Sequence, residues 1–121
     1  MSLKEKAKLG FPVPQIFIDG KVDLHLINRV AEHADRFKFD SLWVQEQQIG
    51  TAPSLEPLTL LSSLANKTQN VKLGVSVLVM ARHDPIQLAK QVASLDHLSV
   101  GRLILGLGAG SKDVSPGITG V

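Results

Sequence analysis

The sequence of 121 residues contains no cysteine, and its aromatic content is only 4%. Without cysteine the chain can form neither disulfide bonds nor thiolate nucleophiles. No apolar run approaches the ~20 residues that a membrane-spanning helix needs. The lysines near the start are not followed by an apolar segment, so a secretory signal peptide is not predicted. We therefore expect a cytoplasmic protein without membrane segments.

The sequence also has no large excess of either charge. Its 13 Lys and Arg residues and 11 Asp and Glu residues give a net charge of +2. No cluster of Lys or Arg occurs, and a nucleic-acid partner is therefore not expected. The histidines lack the spacing of a metal site. With 44% hydrophobic and 20% charged residues, the composition is that of one globular domain, which we assign to residues 1–121.

Apolar segments and turn residues alternate along the chain. Strands are predicted at 8–13, 40–44, 71–79 and 102–106, and helices at 24–37, 58–68 and 86–95. Asp23 and Asp84 are the predicted N-caps of two helices, and Glu56-Pro57 is typical of a helix start. Strands that alternate with helices indicate an α/β fold with a parallel sheet and right-handed crossovers.

The segment from Leu95 to Gly110 has the most definite local pattern. It predicts a helix end, a turn in which Gly101 takes a positive φ, and a buried strand. Gly106, Gly108 and Gly110 would then let the backbone approach a group beyond the carboxyl end of that strand. In parallel α/β folds, ligands bind at this edge of the sheet.

Four segments together resemble the bacterial-luciferase-like family of flavin-dependent monooxygenases and deazaflavin-dependent oxidoreductases. They are Phe39–Val44, Lys72–Gly74, Asp84–Lys90 and Leu95–Gly110, in the order and spacing of the family. The resemblance implies a (β/α)8 TIM barrel, of which this chain supplies the first four strands. It would then be the N-terminal half-barrel of such an enzyme, either as a truncated gene product or as a fragment.

The resemblance also implies a site at the carboxyl ends of the strands, where the isoalloxazine ring of FMN or of the deazaflavin coenzyme lies. The sequence leaves the choice between these two cofactors open. Pro12 to Gln15 is expected nearby. The implied ring contacts are Gln47, Ser76, Val77, Gly108, Ala109, Gly110 and Ser111.

Ser76-Val77 matches a bulge at the end of the third strand. There the family often has a non-proline cis peptide bond, and a trans bond is the alternative.

Several residues depart from the family pattern. Gln47 replaces a histidine and can form hydrogen bonds but cannot act as an acid or base. Lys38 and Val100 replace glycines at turns. Glu46 is interpreted either as solvated or as stabilising the fold. His83 is expected near the ligand edge.

Two functional hypotheses follow. The chain is part of an oxidoreductase that orients the ring for hydride transfer or oxygen activation on a small-molecule substrate, or it is a non-catalytic half-barrel that binds a flavin-like ring or a protein partner. A half-barrel would expose alternate residues of 71–79, together with Leu103 and Leu105, and two free sheet edges. A homodimer or higher oligomer is therefore predicted. An ion pair between Asp96 and Arg102 is also predicted.

Overall fold

The computed structural model describes residues 2–47 and 52–110. Its four strands form one parallel sheet in the order β1-β2-β3-β4, which confirms the predicted α/β half-barrel arrangement. The strands are β1 Gly10–Pro12, β2 Ser41–Val44, β3 Lys72–Val79 and β4 Leu103–Gly108. The helices are α1 Leu3–Lys6, α2 Leu24–Arg36, α3 Pro57–Ala65 and α4 Pro85–Leu98, and a 3-10 turn spans Met80–Arg82.

Several boundaries differ from the predictions, and among the helices α3 ends at Ala65 and not at 68, whereas α4 continues to Leu98 and not only to 95. The helix α1 was not predicted, and β1 is shorter than the predicted 8–13. The strand β4 continues beyond the predicted end at Gly106 to Gly108, so Gly108 belongs to the strand and not to a loop. No described helix combines the length and the apolar character needed to cross a membrane.

Polar side chains fix the first turns of the three long helices. The Asp23 carboxylate accepts a hydrogen bond from the Leu26 N–H at 2.9 Å, and Asp84 accepts one from the Gln87 N–H at 2.8 Å. Glu56 caps α3 in the same way. Such caps contribute about 1 kcal/mol each, and the N-caps predicted at Asp23 and Asp84 are confirmed.

The core lies between the sheet and the long helices. Its fully buried apolar side chains include Ile27, Leu42, Leu61, Leu64, Leu73, Val75, Leu78 and Leu95. Leu103 and Leu105 pack against this core. The prediction that a half-barrel exposes these two leucines on its open inner face is therefore wrong, because the register of β4 on β3 places them on the helix side.

On the face opposite the helices, the indole of Trp43 covers parts of three strands. A Cβ added at Gly74 would lie 2.5 Å from Trp43 Cε3, and one added at Gly10 would lie 2.6 Å from Trp43 Nε1. The indole Nε1 donates to Ser41 Oγ at 2.8 Å. The two glycines therefore leave the space that the indole occupies.

The strand β3 contains an irregularity near its carboxyl end. Its pairing with β4 shifts between Val75 and Leu78, and the Ser76–Val77 peptide bond is cis. The cis alternative is thereby confirmed. The bulge lies within β3, which continues to Val79, and not at its end as predicted.

The turn between α3 and β3 is held from one side by Asp35 on α2. The Asp35 carboxylate accepts hydrogen bonds from the backbone N–H groups of Gln69, Asn70 and Val71, at 2.9, 2.8 and 2.8 Å. Burial raises the pKa of Asp35, but these three bonds and the charge of Arg102 outweigh it and leave the pKa below its ordinary value.

Arg102 holds the same turn from the other side. Its guanidinium donates to the carbonyl oxygens of Ala65 and Val71 at 2.7 and 2.9 Å, and to both the carbonyl and the hydroxyl oxygen of Thr68. The predicted ion pair of Arg102 with Asp96 does not form among the described residues. Arg102 instead binds the carbonyl group of Ala65, the last residue of α3, which the helix leaves without an intrahelical partner, and two carbonyl groups of the turn that follows.

We expect Asp35→Asn to lower the free energy of unfolding near pH 7 by about 1 kcal/mol, after allowance for solvent screening. Because the folded-state pKa of Asp35 is lowered, its contribution is present above the ordinary value of 3.8 and is lost as the pH falls through the folded-state value. Urea unfolding at about pH 7 and about pH 3 measures this difference. Asp96→Asn is the matched control and should have little effect. A destabilisation that is the same at both pH values would contradict this assignment.

Among the residues that the structure describes, Lys38 and Val100 are the two other than glycine with positive φ, at 59° and 54°. The left-handed conformation costs an L-residue about 1–2 kcal/mol, and a β-branched side chain fits it poorly. We expect Val100→Gly to raise the free energy of unfolding by about 1 kcal/mol, because it relieves this strain. Ala93→Gly on the exposed side of α4 is the control and should lower it by about 1 kcal/mol. Equal destabilisation of both variants would exclude strain at Val100.

Candidate functional site

A cavity of about 480 Å³ opens at the carboxyl ends of β1, β2 and β3. Its lining residues are Pro12, Val13, Gln15, Ile16, Trp43, Val44, Gln45 and Ser76. The volume is within the range of small-molecule sites, which are mainly apolar with a few polar groups. The carboxyl edge of a parallel sheet is also where such folds bind ligands.

The side chain of Gln15 builds one wall of this cavity. It is 7% exposed, and its Nε2 donates to the carbonyl oxygens of Gln45 and Leu55 at 2.6 and 2.8 Å. Its Oε1 accepts from the Gln45 N–H at 2.8 Å. Gln15 therefore joins the loops that follow β1 and β2 to the segment before α3.

Four of the predicted contacts lie in the cavity or beside it, at the carboxyl ends of β3 and β4: Ser76, Val77, Gly108 and Gly110. Ser76 lines the cavity, and Val77 packs on β4, because a Cβ at Gly108 would lie 2.6 Å from Val77 Cγ2. Gly110 has a φ of 86°, and a Cβ there would lie 2.7 Å from Val79 Cγ1. The close approach that was expected at these glycines is thus made by valine side chains of β3.

The other predicted contacts lie elsewhere. Ala109 is exposed just beyond β4. Gln47 is exposed and does not line the cavity, and its carbonyl oxygen accepts from Ser54 Oγ at 3.2 Å. Ser111 lies outside the described residues. The part of the cavity on β1 agrees with the expectation that Pro12 to Gln15 lies near the site.

Glu46 and His83 make a contact that the sequence analysis did not predict. Glu46 Oε1 lies 2.5 Å from His83 Nε2, and Glu46 Oε2 accepts from the Val79 N–H at 2.5 Å. The Glu46 side chain is 3% exposed, so Glu46 is not solvated, and its two hydrogen bonds are those expected of a residue that stabilises the fold. Because Glu46 follows β2 and His83 follows β3, their places after adjacent parallel strands were the signal that could have paired them.

The lining fits a flat ring better than a phosphate group. The indole of Trp43 and the apolar groups of Pro12 and Ile16 offer contact area, whereas none of the described residues in the lining carries a charge. The described residues also contain no group of three or more acidic or histidine side chains placed to hold a metal ion. The isoalloxazine ring of FMN or a deazaflavin is therefore compatible with this edge, and a phosphate tail would need groups outside the lining.

Among curated proteins, the chain is similar to limonene 1,2-monooxygenase of Rhodococcus erythropolis, with 34% identity over 93 residues. This match covers 76% of the chain and 24% of the relative. It is also 36% identical over 83 residues to 4-hydroxyprotoasukamycin monooxygenase of Streptomyces nodosus subsp. asukaensis, covering 68% of the chain and 22% of that protein. The chain thus spans about a quarter of the length of these relatives.

Solved structures share the fold. The oxygenating constituent of 3,6-diketocamphane monooxygenase from Pseudomonas putida, in complex with FMN, aligns with a TM-score of 0.79 and 22% identity over 94% of this chain and 32% of that one. The coenzyme F420-dependent tetrahydromethanopterin reductase of Methanopyrus kandleri aligns with a TM-score of 0.66 and 21% identity, covering 94% of this chain and 30% of the reductase. A family profile described as luciferase-like monooxygenase matches residues 11–121, and the chain therefore belongs to the luciferase-like monooxygenase family.

Proposed function

We propose that the chain is the N-terminal half-barrel of a flavin- or deazaflavin-dependent oxidoreductase and contributes part of the seat for the isoalloxazine ring. The observation that carries this proposal is the bulge at Ser76–Val77, which borders the cavity at the carboxyl edge of the sheet. Family membership supports the reaction class.

The proposed ring contacts are Ser76 and Val77 on β3, Gln47 after β2, and the backbone of Gly108 to Ser111. When bound, the ring supplies the redox chemistry, either hydride transfer or oxygen activation. The chain's residues would bind and orient it. Glu46 supports this role indirectly, because its bonds to Val79 and His83 fix the backbone directly after the bulge.

The proposal leaves FMN and the deazaflavin coenzyme as alternative cofactors. One structural neighbour is a complex with FMN, and another is dependent on coenzyme F420. The apolar lining described above suits the ring system that both cofactors present. The described lining contains no charged pocket for a phosphate tail. We therefore propose that this chain contacts only the ring of the cofactor.

We expect FMN to bind weakly, with a dissociation constant above about 1 μM, because only the ring would be held. Quenching of Trp43, the single tryptophan, measures this binding. Lumiflavin, which has the ring without the phosphate tail, should bind within about threefold of FMN. The deazaflavin coenzyme is titrated in parallel.

The substitution that tests the seat is Gly108→Val, which adds bulk on Val77, and it should weaken both ligands. Ser94→Val on exposed α4 is the control and should not. Submicromolar binding of FMN by a monomer would overturn the proposal. So would the absence of binding by FMN, lumiflavin and the deazaflavin coenzyme alike. The second result would favour a non-catalytic half-barrel that binds a protein partner.

We also propose that the chain forms a homodimer or a higher oligomer. Strands β1 and β4 are the two edges of the sheet, and unpaired edges favour association. Val77, on the face opposite the helices, is 41% exposed. Sedimentation equilibrium at tens of micromolar should give a mass at least twice the 13.0 kDa of one chain. A monodisperse monomer that binds no hydrophobic dye would exclude this association.

A further inference from the structure

The helices α2 and α4 each turn one flank toward an open end of the sheet. Strands β1 and β4 are the two edges of that sheet, and α3 lies between the two helices. The flank of α2 that carries Asp35 faces the turn after α3, and the flank of α4 that carries Gln87 and Ser94 shares a groove with α3. The opposite flanks, which we call the open flanks, therefore border β1 and β4, where the described sheet ends.

The open flank of α2 borders an apolar groove of about 170 Å³ beside β1. This groove is lined by Phe11, Val30, His33, Ala34, Phe37 and Phe39. Three of the four phenylalanines of the chain meet there, and Phe37 is 67% exposed. An exposed apolar patch that is rimmed by polar residues is typical of a protein interaction surface.

The open flank of α4 consists of smaller residues. Ile86, Ala89 and Ala93 follow one another at the three- and four-residue spacing of one helix face, and all three are exposed. They lie apart from the residues of α4 that pack on the core. Because an alanine extends little beyond the helix backbone, a facing helix with large side chains can approach this flank closely.

The two open flanks match each other in size and in charge. The flank of α2 presents the large side chains of Leu26 and Phe37, whereas that of α4 presents alanines. Near the C-terminal ends, the guanidinium of Arg36 lies over the ring of Phe37 at 5.9 Å from its centroid, and α4 carries the exposed Asp96. Both helices run from the carboxyl edge of the parallel sheet to its amino edge, so these opposite charges lie at the same height.

The edges of the sheet match in the same way. Strands β1 and β4 are parallel, and each has one side unpaired within the described sheet, so β4 of one chain can continue the sheet of another chain at β1. A half turn about an axis along the strands brings both edge pairs and both flank pairs together at once. The result has eight parallel strands, the number with which this barrel fold closes, and such closed symmetry ends at two copies.

We propose that the two open flanks bind each other in a homodimer, so that the groove beside β1 holds the α4 flank of a second copy of this chain. The inference rests on the association proposed above and adds the surfaces that carry it. In this arrangement each open flank meets the other flank and not its own copy, and neither flank is left uncovered.

Cross-linking tests this pairing, and the sequence has no cysteine of its own to compete with an introduced thiol. One sample of the chain carries His33→Cys in the groove, and another carries Ala93→Cys on the α4 flank. The two are unfolded together in urea, refolded and treated with a short bismaleimide. We expect a cross-linked species of twice the 13.0 kDa of one chain in this mixture, and none when either variant is refolded alone. Ser94→Cys, on the flank toward α3, is the matched control and should not cross-link to the His33→Cys chain.

A charge placed on the α4 flank tests the energetics of the same surface. Ala93→Glu should raise the dissociation constant of the dimer about tenfold, because its carboxylate would be buried against the phenylalanines of the groove. Ser94→Glu adds the same charge on the other flank and should change the constant by less than about twofold. Sedimentation equilibrium measures both variants. Equal weakening by the two substitutions would overturn the proposal.

The outcomes separate this interface from the other proposals. Cross-links in a variant that is refolded alone, or between the His33→Cys and Ser94→Cys chains, would show association through other surfaces and overturn this interface only. A monomer in every sample would overturn the association as well. Neither result changes the flavin titrations, which test the ring seat independently.

Discussion

The architecture depends on the hydrogen bonds by which Asp35 and Arg102 fix the turn before β3. The Asp35 carboxylate accepts hydrogen bonds from the backbone N–H groups of residues 69–71. Arg102 donates to the carbonyl oxygen of Ala65 at the end of α3 and to that of Val71. The two charges also attract each other. Because β3 pairs with both β2 and β4, holding the residues directly before β3 restrains the start of the strand on which both pairings depend. The position of Ser76 at the carboxyl edge follows from those pairings.

A second restraint acts at the other end of β3. The bulge between Val75 and Leu78 changes the alternation of side chains, so that Leu78 returns to the core while Val77 covers β4. Glu46 then ties the end of β3 to the loop after β2 through the Val79 N–H. With both ends held, the bulge has a defined place beside the cavity, as a ligand seat requires.

The element order could be predicted because local signals carry it. Apolar periodicity, the caps Asp23 and Asp84, and the glycine turn are all properties of neighbouring residues. The side of the sheet that Leu103 faces could not be predicted, since a shift of one residue in register reverses every side chain of a strand. The partners of Arg102 lie 31–37 residues away except for Ser99, and only the nearby Asp96 was visible from spacing. The resemblance indicated the bulge. The cavity on β1 and β2 could not be predicted in the same way, because its shape depends on how Trp43 packs.

The packing of Trp43 couples it to two glycines that lie about 30 positions away in the sequence, one on each neighbouring strand. The indole occupies space left by Gly10 and Gly74 on the two flanking strands, so its orientation is set by the absence of side chains. A larger residue on either strand would tilt the indole and alter the floor of the cavity without touching any ligand. Three positions on three strands therefore form one unit of shape, and divergence of ligand preference at this edge would require them to change together.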